Sequence, residues 1–375
     1  MLGAEEFAAW FRLLETPAVG RSTARRLLAA CGSPEAVFRT AEASLRAIAG
    51  AAAAQALKQP PPPEFAERLA AAQAWLAGGG DRSVLTLGDP AYPPLLLQTA
   101  DPPLLLYVQG DPARLLQGAV AIVGSRHATP QGLANAQAFG AALSQQGLVV
   151  VSGLAHGIDA AAHEGALAGP AGTVAVVGTG LDRVYPPANR ALAHRIAANG
   201  TLVSEYAPGT PPLPEHFPQR NRIIAGLSLG TLVVEAALQS GSLITARLAA
   251  EAGREVFAIP GSIHAPQAKG CHVLLKQGAK LVETAQDILE ELRPGHALQT
   301  ALPLGQPSEA DAAGAAAGPA DPLLEALGHD PVTLDALISR TGCPAPELMA
   351  RLMTLELDGL VARLPGGLYQ RLHLS

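Results

Sequence analysis

The stretch Ala119-Val120-Ala121-Ile122-Val123-Gly124-Ser125-Arg126 decides the fold of this chain. Its first five residues are apolar without alternation, the pattern of a strand buried on both faces of a parallel sheet. The glycine lets a ligand approach the backbone, and a helix starting near Pro130 turns free amides and a positive dipole end towards an anion. Arg126 adds a forked guanidinium suited to phosphate. The GxGxxG pattern of dinucleotide sites is absent from this turn.

Similar runs rich in Val, Ile and Leu recur on the C-terminal side, at residues 148–151, 173–177, 201–204, 231–234 and 256–259. Helical segments alternate with them at 131–145, 160–168, 189–198 and 242–252. Such alternation predicts an α/β fold with a doubly wound, mostly parallel sheet over residues 81–292, where ligands bind beyond the carboxyl ends of the strands. Residues 1–80 read as helices broken by the prolines at 60–63. Within them Pro17-Ala18-Val19-Gly20 resembles the turn of a helix-hairpin-helix module. Residues 293–320, rich in Pro, Gly and Ala, read as a flexible linker. Over 321–375, three helices and a hairpin around Gly366-Gly367 have the order of a winged helix.

Composition narrows the functional classes. With 375 residues and 49% hydrophobic content the chain can bury a sizeable core in two or three domains. Cys31, Cys271 and Cys343 are far apart and form no metal spacing with histidine, which predicts a reduced, cytoplasmic setting. Glu5 and Glu6 stand where a signal peptide would be basic, and no apolar run reaches the 18 or so residues of a membrane span. The net charge of −6 weighs against a nucleic-acid partner unless the cations converge on one face.

Five segments carry candidate chemistry. Gly124, Ser125 and Arg126 form the first. Ser152-Gly153-Leu154-Ala155-His156-Gly157-Ile158-Asp159 places glycines at the next strand end, and Gly178-Thr179-Gly180 repeats the pattern, so three strand ends outline a crevice floored by backbone amides. Phe217-Pro218-Gln219-Arg220-Asn221-Arg222 supplies an aromatic face, worth roughly 1–3 kcal/mol per stacked base, together with two guanidinium groups that either hold phosphates or pair with acids such as Glu235. Ser240, Gly241, Ser242 and Thr245 open a further helix and offer a second anion site. Glu235 reads as a charge that orients the arginines. Used instead as a general base, it would make the chain a nucleotide-hydrolysing enzyme. His156 and His163, seven residues apart, could share a helix face but lack a third metal ligand. No catalytic residue, cofactor or metal is expected.

These motifs in this order, continued by Tyr185-Pro186, Ser204-Glu205-Tyr206, Val234-Glu235-Ala236 and Gly253-Arg254-Glu255-Val256-Phe257-Ala258-Ile259-Pro260-Gly261, resemble the DprA/Smf DNA-processing proteins across the whole central domain. The resemblance implies an extended Rossmann-like domain that binds single-stranded DNA, with a SAM-like or helix-hairpin-helix-like N-terminal domain and a C-terminal winged helix. It implies a homodimer that protects incoming DNA and loads the recombinase RecA onto it during natural transformation. By motif, Arg126 is the leading phosphate contact beside Gly124 and Ser125, Phe217 a base contact, and Arg220 and Arg222 shape the pocket. Pro214 stands where some relatives carry a DNA-contacting lysine. The strongest basic positions of the winged helix, Arg351, Arg363 and Arg371, are few and point to a protein-contacting or auxiliary role for it.

Overall fold

The computed structural model describes residues 2–292, 321–328, 331–364 and 366–372. One nine-stranded sheet organises the molecule. Its strands are β1 (Arg82–Thr86), β2 (Leu105–Gly110), β3 (Ala119–Val123), β4 (Val149–Ser152), β5 (Thr173–Val177), β6 (Thr201–Ser204), β7 (Gly230–Val233), β8 (Glu255–Ala258) and β9 (Lys280–Leu281), in the order β1-β2-β6-β5-β4-β3-β7-β8-β9. From β6 to β9 all neighbours are parallel, whereas β1 and β2 add an antiparallel hairpin at the β6 edge.

Within β3, Ala119, Ala121 and Val123 join one buried cluster and Val120 and Ile122 another, so both faces of the strand are covered. The first cluster takes in Ile223 and Ile224 of the helix His216–Gly226 and Ala246 of the helix Ser242–Glu251. The second takes in Phe139 of the helix Pro130–Gln145 and Ala162 of the helix Ile158–Ala166. The chain steps from β3 through β4 and β5 to β6 on one side, then returns to place β7 on the other side of β3. The switch point of the sheet therefore lies between β3 and β7, and the β3 turn faces the resulting crevice.

The six N-terminal helices, from Ala4–Glu15 to Phe65–Ala77, pack onto the β6 side. A third cluster runs from Phe7, Trp10 and Leu27 to Tyr107, Ala175 and Ile196, so they share a core with the sheet. The tight turn at Pro17–Gly20 places Ala18 at φ 62°. The helix that follows, Arg21–Cys31, directs Arg21 and Arg25 at Asp101, at 2.8 and 2.5 Å. The expected linker, 293–320, lies outside the described residues. Beyond it the helices Pro322–Leu327, Leu334–Thr341 and Ala345–Leu357 enclose Leu323, Leu337, Leu348 and Leu352 against a three-stranded sheet of β10 (Val332–Thr333), β11 (Val361–Leu364) and β12 (Leu368–Arg371). This is a winged helix. Cys31, Cys271 and Cys343 are free thiols, and no described helix is long and apolar enough to cross a membrane.

Candidate nucleic-acid interface

The β3 turn is held open by a cap. Thr129 begins the helix Pro130–Gln145, and its hydroxyl accepts from the Gly132 amide at 3.0 Å while donating to Glu235 Oε1 at 2.6 Å. The other Glu235 oxygen accepts from the Thr129 amide at 2.9 Å. Glu235 therefore ties β7 to the start of the helix after β3. It does not orient the arginines as its sequence position suggested, because both its oxygens are engaged by Thr129. Burial pushes its carboxyl above the usual range, and the two Thr129 bonds oppose that rise.

On the neighbouring turn Gly157 adopts φ +77°, and a side chain there would drive into the carbonyl oxygen of Ser125. That oxygen accepts from the Ile158 amide at 3.2 Å, so the turns after β3 and β4 are locked together. Arg126 emerges from this rigid base exposed to solvent, without a hydrogen-bond or ion-pair partner among the described residues. It lines an open groove of about 660 Å³ together with Phe217, Asn221 and Ser240.

The helix Ser242–Glu251 brings its N-terminus to the same groove. Gly241, Ser242 and Thr245 line it, with Ser242 and Thr245 buried and the Ser240 and Ser242 hydroxyls 2.6 Å apart. Asn221 donates to the Gly241 carbonyl at 3.3 Å and fastens this end of the helix to the helix His216–Gly226. Phe217 is half-buried and leans on Tyr185, with ring centroids 5.3 Å apart at 41°. Two aromatic rings therefore border one wall, and Pro212 and Pro214 continue it.

Arg220 and Arg222, from the same helix, point away from solvent. Arg220 is 5% exposed, donates to the carbonyls of Gly153 (2.6 Å) and Val176, and presents only an edge to the groove. Asp159 opposes it, accepting the Gly153 and Ala155 amides at 3.1 and 3.4 Å. Burial raises the Asp159 carboxyl above its ordinary value, with the Arg220 charge working in the opposite direction. Burial in turn pushes the Arg220 guanidinium down to about 10. A Cβ on Gly153 would lie 2.5 Å from that guanidinium, so this glycine gives room to an arginine, not to a ligand. Arg222 pairs with Glu205 and, at 3.3 Å, with Asp101, the carboxylate that also holds Arg21 and Arg25. This network anchors the groove helix to the N-terminal hairpin.

Ten of the twelve sequence candidates thus meet at one groove, while Gly153 and Arg222 stand behind it. Of the three strand ends expected to floor it with amides, Gly124 lines the groove, but the space left by its missing side chain is filled by Ile158 and the Glu235 carbonyl, 2.6 and 2.9 Å from a would-be Cβ, and Gly178 backs onto Phe217 at 3.3 Å. His156 precedes the helix Ile158–Ala166, and His163 is fully buried between Thr173 (2.7 Å) and the Leu154 amide (3.3 Å). The two histidines cannot share a metal, and no group of three or more possible ligands occurs among the described residues. Sequence reading gave no site role to Tyr185, Thr129 or Asn189. The last donates to the Leu154 and Ala155 carbonyls at 2.9 and 3.1 Å. The Tyr185-Pro186 pair was visible, but its approach to Phe217 is a tertiary fact.

The family model for DNA recombination-mediator protein A matches residues 83–293, more than half of the chain. The chain belongs to that family. The DprA winged helix domain matches residues 306–367. Among family members, Protein Smf of Escherichia coli is 45% identical over 285 residues, 75% of each chain. DNA processing protein DprA of Streptococcus pneumoniae is 50% identical over 203 residues, 54% of this chain and 72% of that protein. The crystal structure of the pneumococcal DprA superposes with a TM-score of 0.63 at 38% identity, over 76% of this chain and 98% of that one. A DNA processing protein A structure from Helicobacter pylori, described for its single-stranded DNA binding mode, gives 0.51 at 32% identity over 56% and 95%.

Proposed function

We propose that this member of the recombination-mediator family binds single-stranded DNA in the Arg126 groove, protects it, and loads the recombinase RecA onto it during natural transformation. The observation that carries the reading is Arg126 itself. An arginine on a rigid turn, making no hydrogen bond or ion pair within the described residues, beside the N-terminus of the helix Ser242–Glu251 and an aromatic wall, has the chemistry for holding a phosphodiester with a base stacked alongside. The Helicobacter pylori relative, described for the same ligand, supports it.

The groove argues for binding rather than turnover. Its only sequence candidate for a general base, Glu235, has both oxygens committed to Thr129. A cytoplasmic homodimer through the central domain is part of the proposal, supported by the exposed Leu238 and Ile263 and by the half-exposed Leu281 on the edge strand β9. The winged helix reads as an auxiliary module, since the helix Ala345–Leu357 exposes Met349, Met353 and Leu357 where a DNA reader would carry cations. Removing residues 321–375 should leave affinity for single-stranded DNA unchanged.

The test is fluorescence anisotropy of a labelled single-stranded oligonucleotide at two salt concentrations, with wild type and Arg126→Ala. Binding should weaken with salt by a log-log slope of about −0.7 per phosphate held, and collapse in the variant. Binding indifferent to Arg126 would overturn the groove assignment. RecA filament assembly on DNA coated with a single-strand-binding protein, with and without this protein, tests the loading step.

A further inference from the structure

The groove reaches Tyr185, and the loop that carries this tyrosine has a second face. There Arg82, Arg183, Arg190 and His194 line a hollow of about 540 Å³ in which Asp182 is the single carboxylate. Asp182 accepts from the Gly209 amide at 2.8 Å and from Arg183 at 3.2 Å, so it neutralises at most one of the three guanidinium groups. Arg190 is exposed and has no hydrogen-bond or ion-pair partner among the described residues. With His194 it occupies neighbouring turns of the helix Arg190–Asn199, on one face.

Arg82 is fixed in place. Its Nη1 donates to the Trp75 carbonyl at 2.8 Å, its guanidinium lies 5.1 Å over the Trp75 ring, and its Nε is buried without a partner. In an acidic chain, three arginines around one concavity make a local positive field that an anion would fill. The hollow adjoins the groove, because Arg183, Val184 and Pro187 face the former while Tyr185, between them in the chain, faces the latter against Phe217.

We propose that this hollow is a second DNA site, holding the phosphodiester backbone of the same single strand where it leaves the groove over Tyr185. The proposal rests on the strand-binding reading above. A free phosphate or mononucleotide would meet the same guanidinium groups, and DNA length separates these sources.

The experiment compares oligonucleotides of about 6 and about 20 nucleotides, bracketing a groove-sized and a longer site, on wild type and on Arg183→Ala/Arg190→Ala. Both side chains are exposed, and an unchanged melting temperature checks the fold. Short-oligonucleotide affinity should be unchanged. Long-oligonucleotide affinity should fall about tenfold, with a salt slope shallower by about 1.4, the value for two lost phosphate contacts. Arg190→Glu should act in the same direction and more strongly. Unchanged affinity and slope on the long oligonucleotide would overturn the second site, even if inorganic phosphate bound the hollow. Equal losses at both lengths would assign these arginines to the groove and overturn it as well. Failure of wild type to bind either length would instead overturn the strand-binding reading itself.

Discussion

Replacing Arg220 with methionine separates a residue that touches DNA from one that builds the site. Methionine keeps much of the side-chain volume but removes the charge and every donor. The carbonyls of Gly153 and Val176 would lose the Arg220 donor. Each buried acceptor left unsatisfied costs about 1–3 kcal/mol. Asp159 would lose the charge that most offsets its burial. Removing one partner from a buried charged arrangement costs about 3–5 kcal/mol, and we expect Arg220→Met to fall in that range. Urea denaturation measures it. The deficit should shrink as the pH falls, because Asp159, its carboxyl raised further without Arg220, takes up a proton and ceases to be a buried anion. DNA affinity should fall with the loosened groove helix. Wild-type stability combined with lost binding would refute this reasoning and make Arg220 a direct phosphate contact.

Three further outcomes follow from the same geometry. Gly157→Ala requires a left-handed φ and drives its methyl into the Ser125 carbonyl, so it should cost about 2–4 kcal/mol and displace Arg126, read as a lower midpoint in denaturant together with weakened DNA binding. Thr129→Val removes the cap hydroxyl, which should cost about 1–2 kcal/mol and speed amide exchange at Gly132, whereas unchanged exchange would show that the cap is not holding this turn. His163 is pushed by burial from its ordinary value of 6.5 down to about 3. Between these values the unfolded chain binds a proton that the native protein does not, so this contribution to stability is complete above about pH 6.5 and is lost as the pH falls. Wild type should lose about 2 kcal/mol more than His163→Gln between pH 7 and pH 5, and equal losses would refute the assignment.

Much of the fold was legible because burial on two faces leaves a composition that local chemistry cannot disguise. The apolar runs ending at Val123, Val177 and Ser204 end in the structure where the sequence places them. β1 and β2 were not legible, since they lie outside the strand-helix alternation and β2 finds its sheet partner at a distance, Tyr107 opposite Ser204. The candidate site divides in the same way. Gly124, Arg126, Phe217 and Gly241 announce themselves by residue type next to a strand end or a helix start. Glu235, Arg220 and Arg222 do not, because a charged side chain within reach of several turns takes its role from whichever partner folding brings near.

The order of the motifs along the chain, by itself, determined the parallel sheet, the turn that carries Arg126 and the family. Periodicity and turn chemistry are local, and a strand end marked by glycine is a strand end in any context. Only the tertiary structure decided that Arg126 is free while Arg220 and Arg222 are engaged, that Tyr185 meets Phe217, and that three scattered arginines line one hollow. Those are matters of distance between segments far apart in sequence, and the free energy of a charge depends on the carbonyls, carboxylates and water that surround it.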